Sequence, residues 1–444
     1  MIWLFVAGGM NRELAKKIVD CLRLMGAPDV DQLRGFSERE WRRTLPWLDH
    51  SGLTLYLLRR LDGLQATDVL PPSILKRFGG NLAQNRRRLD HIANQFAMIN
   101  EGFYRAGVNF AVIKGFSLVP EFCPDPSLRT LSDVDYLVDK QSLPWARRVL
   151  EEIGYRLQRV TELELRFRGT SPRVPTRSDD PYSRETEALV ELHLGLWDQK
   201  ATGIVLAEPA FRLDETVNHE WQGLRFPVLR KEEAFILQMI HVFRHVLDGW
   251  VKLCWLLEIG YFLSLHLSDE AFWDRVEVLM QEVPLLIEFG AIVVGLAGTL
   301  FAAPMPPRVA RWALSLGAPA RLWVDLYGRT FVMENHPLDS FVSFPSRKFC
   351  IFLQWEFLPD SLARREVTWR RLFPWKATPR VVSLDDKTAV GFLEAISLQS
   401  QYVIRKLIFH LGSDLRFLWE LPRWREANRR SRVISPGALS LSGD

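Results

Sequence analysis

The chain is poor in cysteine. It has four in 444 residues, and none of Cys21, Cys123, Cys254 and Cys350 belongs to a Cys-x-x-Cys pair. That scatter excludes a disulfide framework and a cysteine-built zinc module. The four are expected as reduced, buried thiols of a cytoplasmic protein. Strong charge is also lacking. A formal net charge of +4 over this length argues against a dedicated nucleic-acid binder. No apolar run is long enough for a membrane span. The best, residues 289–303, falls short of the ~18–20 residues needed and is bounded by Glu288 and Pro304, so a buried core helix is expected. The apolar start from Met1 to Ala7 lacks a basic flank and is too short for a secretory signal. There is no internal repeat.

What is present is apolar substance. Apolar residues make up 48% of the chain, enough for large cores and too much for a disordered protein. On a prior of ~150 residues per domain the length suggests two or three domains. Residues 1–105 are expected to be helical, with a capped start at Ser37 and a long helix opened by Pro71-Pro72. Residues 106–200 change period and form a small α/β unit. Its strands are expected over 108–113, over 133–138, from Arg156 to Phe167 and over 188–194, with a helical stretch over 116–122, a helix over 142–153 and a loop over 169–186. Residues 201–335 are expected to be a helical domain. Residues 336–444 are expected as a mostly helical extension with a disordered tail after Ser431. The fold class is therefore α+β, a small mixed sheet embedded in a largely α-helical chain.

The chemistry concentrates in Ser132-Asp133-Val134-Asp135-Tyr136-Leu137-Val138. Along a strand, alternate side chains share a face, so Asp133 and Asp135 point together. Two hard oxygen ligands at one end of a sheet suit Mg²⁺ carrying a phosphate substrate. The chain contains its own control: Asp29-Val30-Asp31 is the same tripeptide, but no strand follows it. The second copy differs in its surroundings. A strand ending in Lys114-Gly115 precedes it, with Arg129 between. Val190-Glu191-Leu192-His193 follows, with Glu191 and His193 on one face. Two cations ~3.5–4 Å apart need several carboxylates, and Glu191 is the third. His193 is more often a hydrogen-bonding neighbour than a Mg²⁺ ligand, because that ion prefers oxygen. His241 and His245 are at i, i+4, as in zinc sites, but no third ligand is evident, so a core or pocket-wall role is expected.

Ala111-Val112-Ile113-Lys114-Gly115, the stretch Leu128 to Val138, and Val190-Glu191-Leu192-His193 together resemble the uncharacterised bacterial nucleotidyltransferases of the polymerase-β-like superfamily. The likeness continues through Leu229-Arg230-Lys231-Glu232-Glu233 to Glu258, where that family usually has aspartate. The wider superfamily has Gly-Ser where this chain has Lys114-Gly115. The resemblance implies that residues 106–200 are a catalytic core that moves an NMP from an NTP to an acceptor hydroxyl. Asp133, Asp135 and Glu191 would be catalytic and would hold two Mg²⁺ or Mn²⁺ ions. Lys114, Gly115, Arg129, Ser132 and His193 would meet the nucleotide. The acceptor is open: protein, small molecule, sugar or nucleic acid. Two rivals stand beside this reading. One is an inactive nucleotide-binding regulator of antitoxin type. The other is a helical scaffold that binds nucleic acid or a partner through Arg423, Arg425, Arg429, Arg430 and Arg432. The aspartates are expected to be exposed, so that removing Asp133 or Asp135 spares the fold.

Overall fold

The computed structural model describes residues 10–169, 181–182, 189–207, 211–334, 346–373 and 392–434. The segment Met1 to Ala7, most of the 169–186 loop and the tail beyond 434 lie outside the described residues.

Four helices come first: α1 (Arg12–Cys21), α2 (Glu38–His50), α3 (Thr54–Gly63) and α4 (Pro72–Arg105). Ser37 and Glu40 close a reciprocal capping box at the start of α2, as the sequence predicts. Pro72 at the first position of α4 costs nothing, because that N–H has no intrahelical partner. The middle of the chain gives β1 (Phe110–Val112), β2 (Asp133–Val138), α5 (Leu143–Glu152), β3 (Tyr155–Val160), β4 (Glu164–Gly169), β5 (Leu189–His193), α6 (Gln199–Thr202), β6 (Val217–Trp221) and β7 (Leu224–Val228). Helices follow: α7 (Lys231–Leu247), α8 (Leu253–Leu265), α9 (Glu270–Gln281), α10 (Leu286–Phe301), α11 (Pro307–Ser315), α12 (Ala318–Trp323), α13 (Arg329–Glu334), α14 (Cys350–Gln354), α15 (Ser361–Leu372) and α16 (Phe392–Ile434). The molecule is an α+β fold, mostly helical, with one seven-stranded mixed sheet.

The sheet order is β3-β4-β5-β2-β1-β7-β6. Strand β2 runs parallel to β5 and antiparallel to β1, so it lies near the centre. Alternation sorts the two faces. Val134, Tyr136, Val138, Val190 and Leu192 join Phe96 and Phe103 of α4 and Val149 of α5 in one apolar core. Ala111, Ile113 and Leu137 face the other way and belong to the larger core with α7, α8 and α10. Asp133, Asp135, Glu191 and His193 have the parity of Leu137, so they point toward the helical body.

Three local expectations need correction. Arg156 to Phe167 is a hairpin, not one strand, because the Thr161 hydroxyl accepts from the N–H groups of Leu163 and Glu164 and turns the chain back. The stretch over 116–122 makes a single 3₁₀ turn, Gly115–Leu118. Pro120 drives Val119 into extended backbone and ends it. The β6–β7 hairpin was not legible. Its turn, Gln222-Gly223, holds φ of 50° and 80°, as a primed two-residue turn requires, but Gln-Gly is a weaker sign than Asn-Gly.

Other expectations hold. Phe289 and most of its neighbours in α10 are buried, and no described helix is long and apolar enough to cross a membrane. All four cysteines are buried and free of disulfides. The first Asp-x-Asp leads into a 3₁₀ turn, and Asp31 is an exposed partner of Arg34.

The segment between β1 and β2 is tied to the helices by Glu121, which meets Lys231 of α7 and His266 just after α8, each at 2.7 Å. The hydrogen bond to His266, opposed by burial and helped by Lys231, pulls the Glu121 carboxyl down to about 2. A depressed carboxyl pKa contributes stability above its ordinary value near 4.5 and loses it as pH falls towards 2. Glu121→Gln is therefore expected to cost about 1–3 kcal/mol at pH 7, discounted because the side chain is partly exposed. In urea titrations the difference should shrink between pH 4.5 and 2. A difference independent of pH would contradict the pairing.

Candidate active site

The site is built on three neighbouring strands. The β2–β5 register sets Asp135 beside Glu191, and the β4–β5 register sets Arg166 on the other flank of Glu191. Cross-strand neighbours share a face, so Arg166, Glu191 and Asp135 form one row. Asp135 is 1% exposed, Glu191 5% and His193 2%. One ligand atom from each of these three lies within 4.8 Å of the other two.

Each buried carboxylate has a cationic or hydrogen-bonding partner. Lys114 Nζ and His193 Nε2 both lie 2.8 Å from Asp135 Oδ1. Arg166 Nη2 is 2.5 Å from Glu191 Oε1, and His193 Nε2 is 3.5 Å from Glu191 Oε2. Burial disfavours a charge on Asp135, but Lys114 and His193 outweigh it and hold the carboxyl below its usual range. Burial likewise opposes a charge on His193, and its bonds to Asp135 and Glu191 overcome that and raise it. Burial pushes Glu191 up; His193 and Lys114 pull it down further.

Asp133 differs from Asp135. It is half-buried, stands outside the compact group of three, and its Oδ1 accepts from the Ser132 hydroxyl at 3.1 Å. Burial, then repulsion from Asp135, pushes its carboxyl up. The expectation that both aspartates are exposed is thus corrected for Asp135, whose partners enclose it. Gly115 follows Lys114 at φ +67°, a left-handed backbone that favours glycine. A Cβ there would find ordinary contact with Leu131, so conformation and not space selects glycine.

Arg129 lies in a different network. Its Nε is 2.8 Å from Glu258 Oε1, which also accepts from the Tyr56 hydroxyl at 2.7 Å. Glu258 is buried, and the Arg129 side chain is 12% exposed. Burial disfavours the guanidinium, and Glu258 more than restores it. Glu258 therefore meets Arg129, while Lys114 and His193 meet Asp135. Asn85 of α4 donates to the carbonyls of Ser127 and Arg129, clamping the approach to β2.

Sequence reasoning missed Arg166. The only signal would have been a register across a hairpin that was read as one strand. His241 and His245 of α7 lie beside one another, 4.6 Å between ring centroids, within an aromatic group. Among the described residues, the group able to hold a metal ion is Asp135, Glu191 and His193.

Comparison with curated proteins and with solved structures yields no match. Comparison with protein families does. The chain matches the family described as uncharacterised nucleotidyltransferase over residues 37–296, which takes in α2 to α4, the whole sheet, and α7 to most of α10. That match covers more than half of the chain, and the protein belongs to this nucleotidyltransferase family.

Proposed function

We propose that the chain transfers a nucleotidyl group from a nucleoside triphosphate to an acceptor hydroxyl, with Asp133, Asp135 and Glu191 holding the divalent cations. The observation that carries this reading is the in-register pair Asp135–Glu191 on parallel strands, with Asp133 on the same face. The donor set fits such an ion: two carboxylates and an imidazole within 4.8 Å suit Mn²⁺, and the carboxylates alone suit Mg²⁺. When bound, the cations supply charge neutralisation for the triphosphate and the departing pyrophosphate.

The rest falls to the chain. Lys114 is partly exposed, and its ammonium can exchange Asp135 for a phosphate oxygen when nucleotide arrives. His193 keeps Asp135 oriented through that exchange. Arg166 holds Glu191 from the far side. Glu191, in register with Asp135, is placed to hold a cation, and the acceptor proton is released to water. The acceptor oxygen bonds to the α-phosphorus as the bond to the bridging oxygen breaks and pyrophosphate departs. Catalysis here is positioning and electrostatics.

The basic end of α16 favours the scaffold reading less. Arg423 pairs with Glu420, and Arg429 and Arg430 pair with Glu426, so much of its charge is met within the helix.

Incubation with α-labelled nucleotides, Mn²⁺ or Mg²⁺ and a panel of hydroxyl acceptors, self-labelling included, tests the proposal. Metal-dependent pyrophosphate release is expected, reduced at least about 100-fold in Asp133→Asn, since positioned charge of this kind is worth several kcal/mol. Tight nucleotide binding without release from any acceptor would support the inactive regulator instead.

A further inference from the structure

We infer that His241, His245, Trp250 and Trp255 form the wall on which the nucleobase of the substrate stacks. This rests on the transferase reading and adds where the base lies. Gln238 Nε2 donates to the Ile113 carbonyl at 3.1 Å, one residue before Lys114. Gln238, His241 and His245 are at i, i+3 and i+7, so they share a face of α7. The histidines therefore extend from the end of β1, where Lys114 reaches Asp135.

The chain then folds two indoles onto them. Gly249 takes φ +85°, and the Trp250 N–H donates to the His245 carbonyl, closing the helix end. A side chain at Gly249 would also strike Arg347 Cγ at 2.8 Å. This turn brings Trp250 to 4.1 Å from His245 between ring centroids. Trp255 of α8 lies 4.7 Å from His241 and 4.8 Å from His245. Lys252 Nζ stands 5.7 Å from the Trp255 ring centroid.

Three observations point to a base as the occupant. First, His241, Trp250 and Trp255 are each half-buried, so the cluster reaches the protein surface. Second, His245 is 8% exposed and its Nδ1 has no hydrogen-bond partner among the described residues. A buried ring nitrogen without a partner is costly, and a base edge can supply one. Third, the wall is electrically tied to the acids: Lys114 acts on both histidines, and Lys252 acts on Asp133. Burial first, then Lys114 at His241 and Arg244 at His245, hold both imidazoles well below their usual pKa. Neutral rings suit a π-face, leaving phosphate to the lysines. Zinc is a poor alternative, since no third donor joins the histidines among the described residues.

The test is calorimetric titration of the full chain with Mn²⁺ and either an α,β-methylene nucleoside triphosphate or inorganic tripolyphosphate. Trp250→Leu and Trp255→Leu are expected to weaken nucleotide binding about 10–100-fold and to leave tripolyphosphate within about twofold. Trp255→Phe, which keeps a π-face, should recover most of the affinity and covers the case in which Trp255→Leu fails to fold. Unchanged nucleotide affinity in both leucine variants would overturn the wall. So would parallel losses for nucleotide and tripolyphosphate, or equal affinity of the wild type for the two. Those outcomes leave the transferase reading standing. A wild type that binds neither probe overturns both.

Discussion

Asp135→Ala is expected to eliminate nucleotidyl transfer and also to lower the unfolding free energy by about 3–5 kcal/mol, the scale for breaking a buried ion pair. The second effect follows from the site and not from the chemistry. Asp135 Oδ1 is the shared acceptor for Lys114 and His193. Removing it leaves the partly exposed Lys114 ammonium and the buried His193 imidazole without their shared acceptor. Lys114→Met in the Asp135→Ala background should therefore recover stability, because the two sites share one interaction and their effects do not add. Urea titration followed by circular dichroism reads this directly. An Asp135→Ala protein as stable as the wild type would mean that the network does not anchor the sheet. Asp133→Asn is the cleaner probe of function. Asp133 is half-buried and its Oδ1 accepts from the neighbouring Ser132 hydroxyl, so stability should stay within about 1 kcal/mol of wild type. The first tripeptide gives the control: Asp31→Ala touches an exposed pair and should be silent.

Breaking the Arg129–Glu258 pair is expected to be as damaging, about 3–5 kcal/mol for Glu258→Ala or Arg129→Ala, and neither residue belongs to the metal-capable group found among the described residues. Tyr56 and Arg129 converge on one Glu258 oxygen inside the protein, so either deletion leaves a buried group without its partner. The double replacement Arg129→Met/Glu258→Leu should cost clearly less than the sum, since apolar groups of similar volume remove both charges together. This separates two roles for Arg129. A phosphate ligand would raise KM for nucleotide on removal, whatever is done at Glu258. An anchor for the segment entering β2 would lower stability on removal and be relieved by the companion change. The pairing with Glu258 and the Asn85 clamp on the same segment favour the anchor.

Much of the site was legible because alternation is a strict rule. Once residues 133–138 and 188–194 read as strands, the shared face of Asp133 with Asp135, and of Glu191 with His193, followed. Register is not legible in that way. It depends on which strands pair, and here the Thr161 turn and the β4 strand it creates bring Arg166 to Glu191. Burial was misjudged for a related reason. Acids at a metal site were expected in solvent, but their strand face packs toward α7, and Gln238 joins the two. Arg129 carried no local sign of its partner, because Glu258 lies far along the chain and only the fold brings them together. The long helices were the easiest reading. Their caps and prolines act within a few residues, as at Ser37 and Pro72.

The two-strand acid cluster is proposed to bind a divalent cation together with nucleotide. Electron paramagnetic resonance of Mn²⁺, titrated into the full chain with a non-hydrolysable nucleoside triphosphate, tests it without knowledge of the acceptor. Wild-type protein should deplete the free Mn²⁺ signal beyond what nucleotide alone removes. Asp133→Asn, folded as the wild type, should not. Equal Mn²⁺ binding by the two proteins would rule out Asp133 as a ligand of the nucleotide-bound cation.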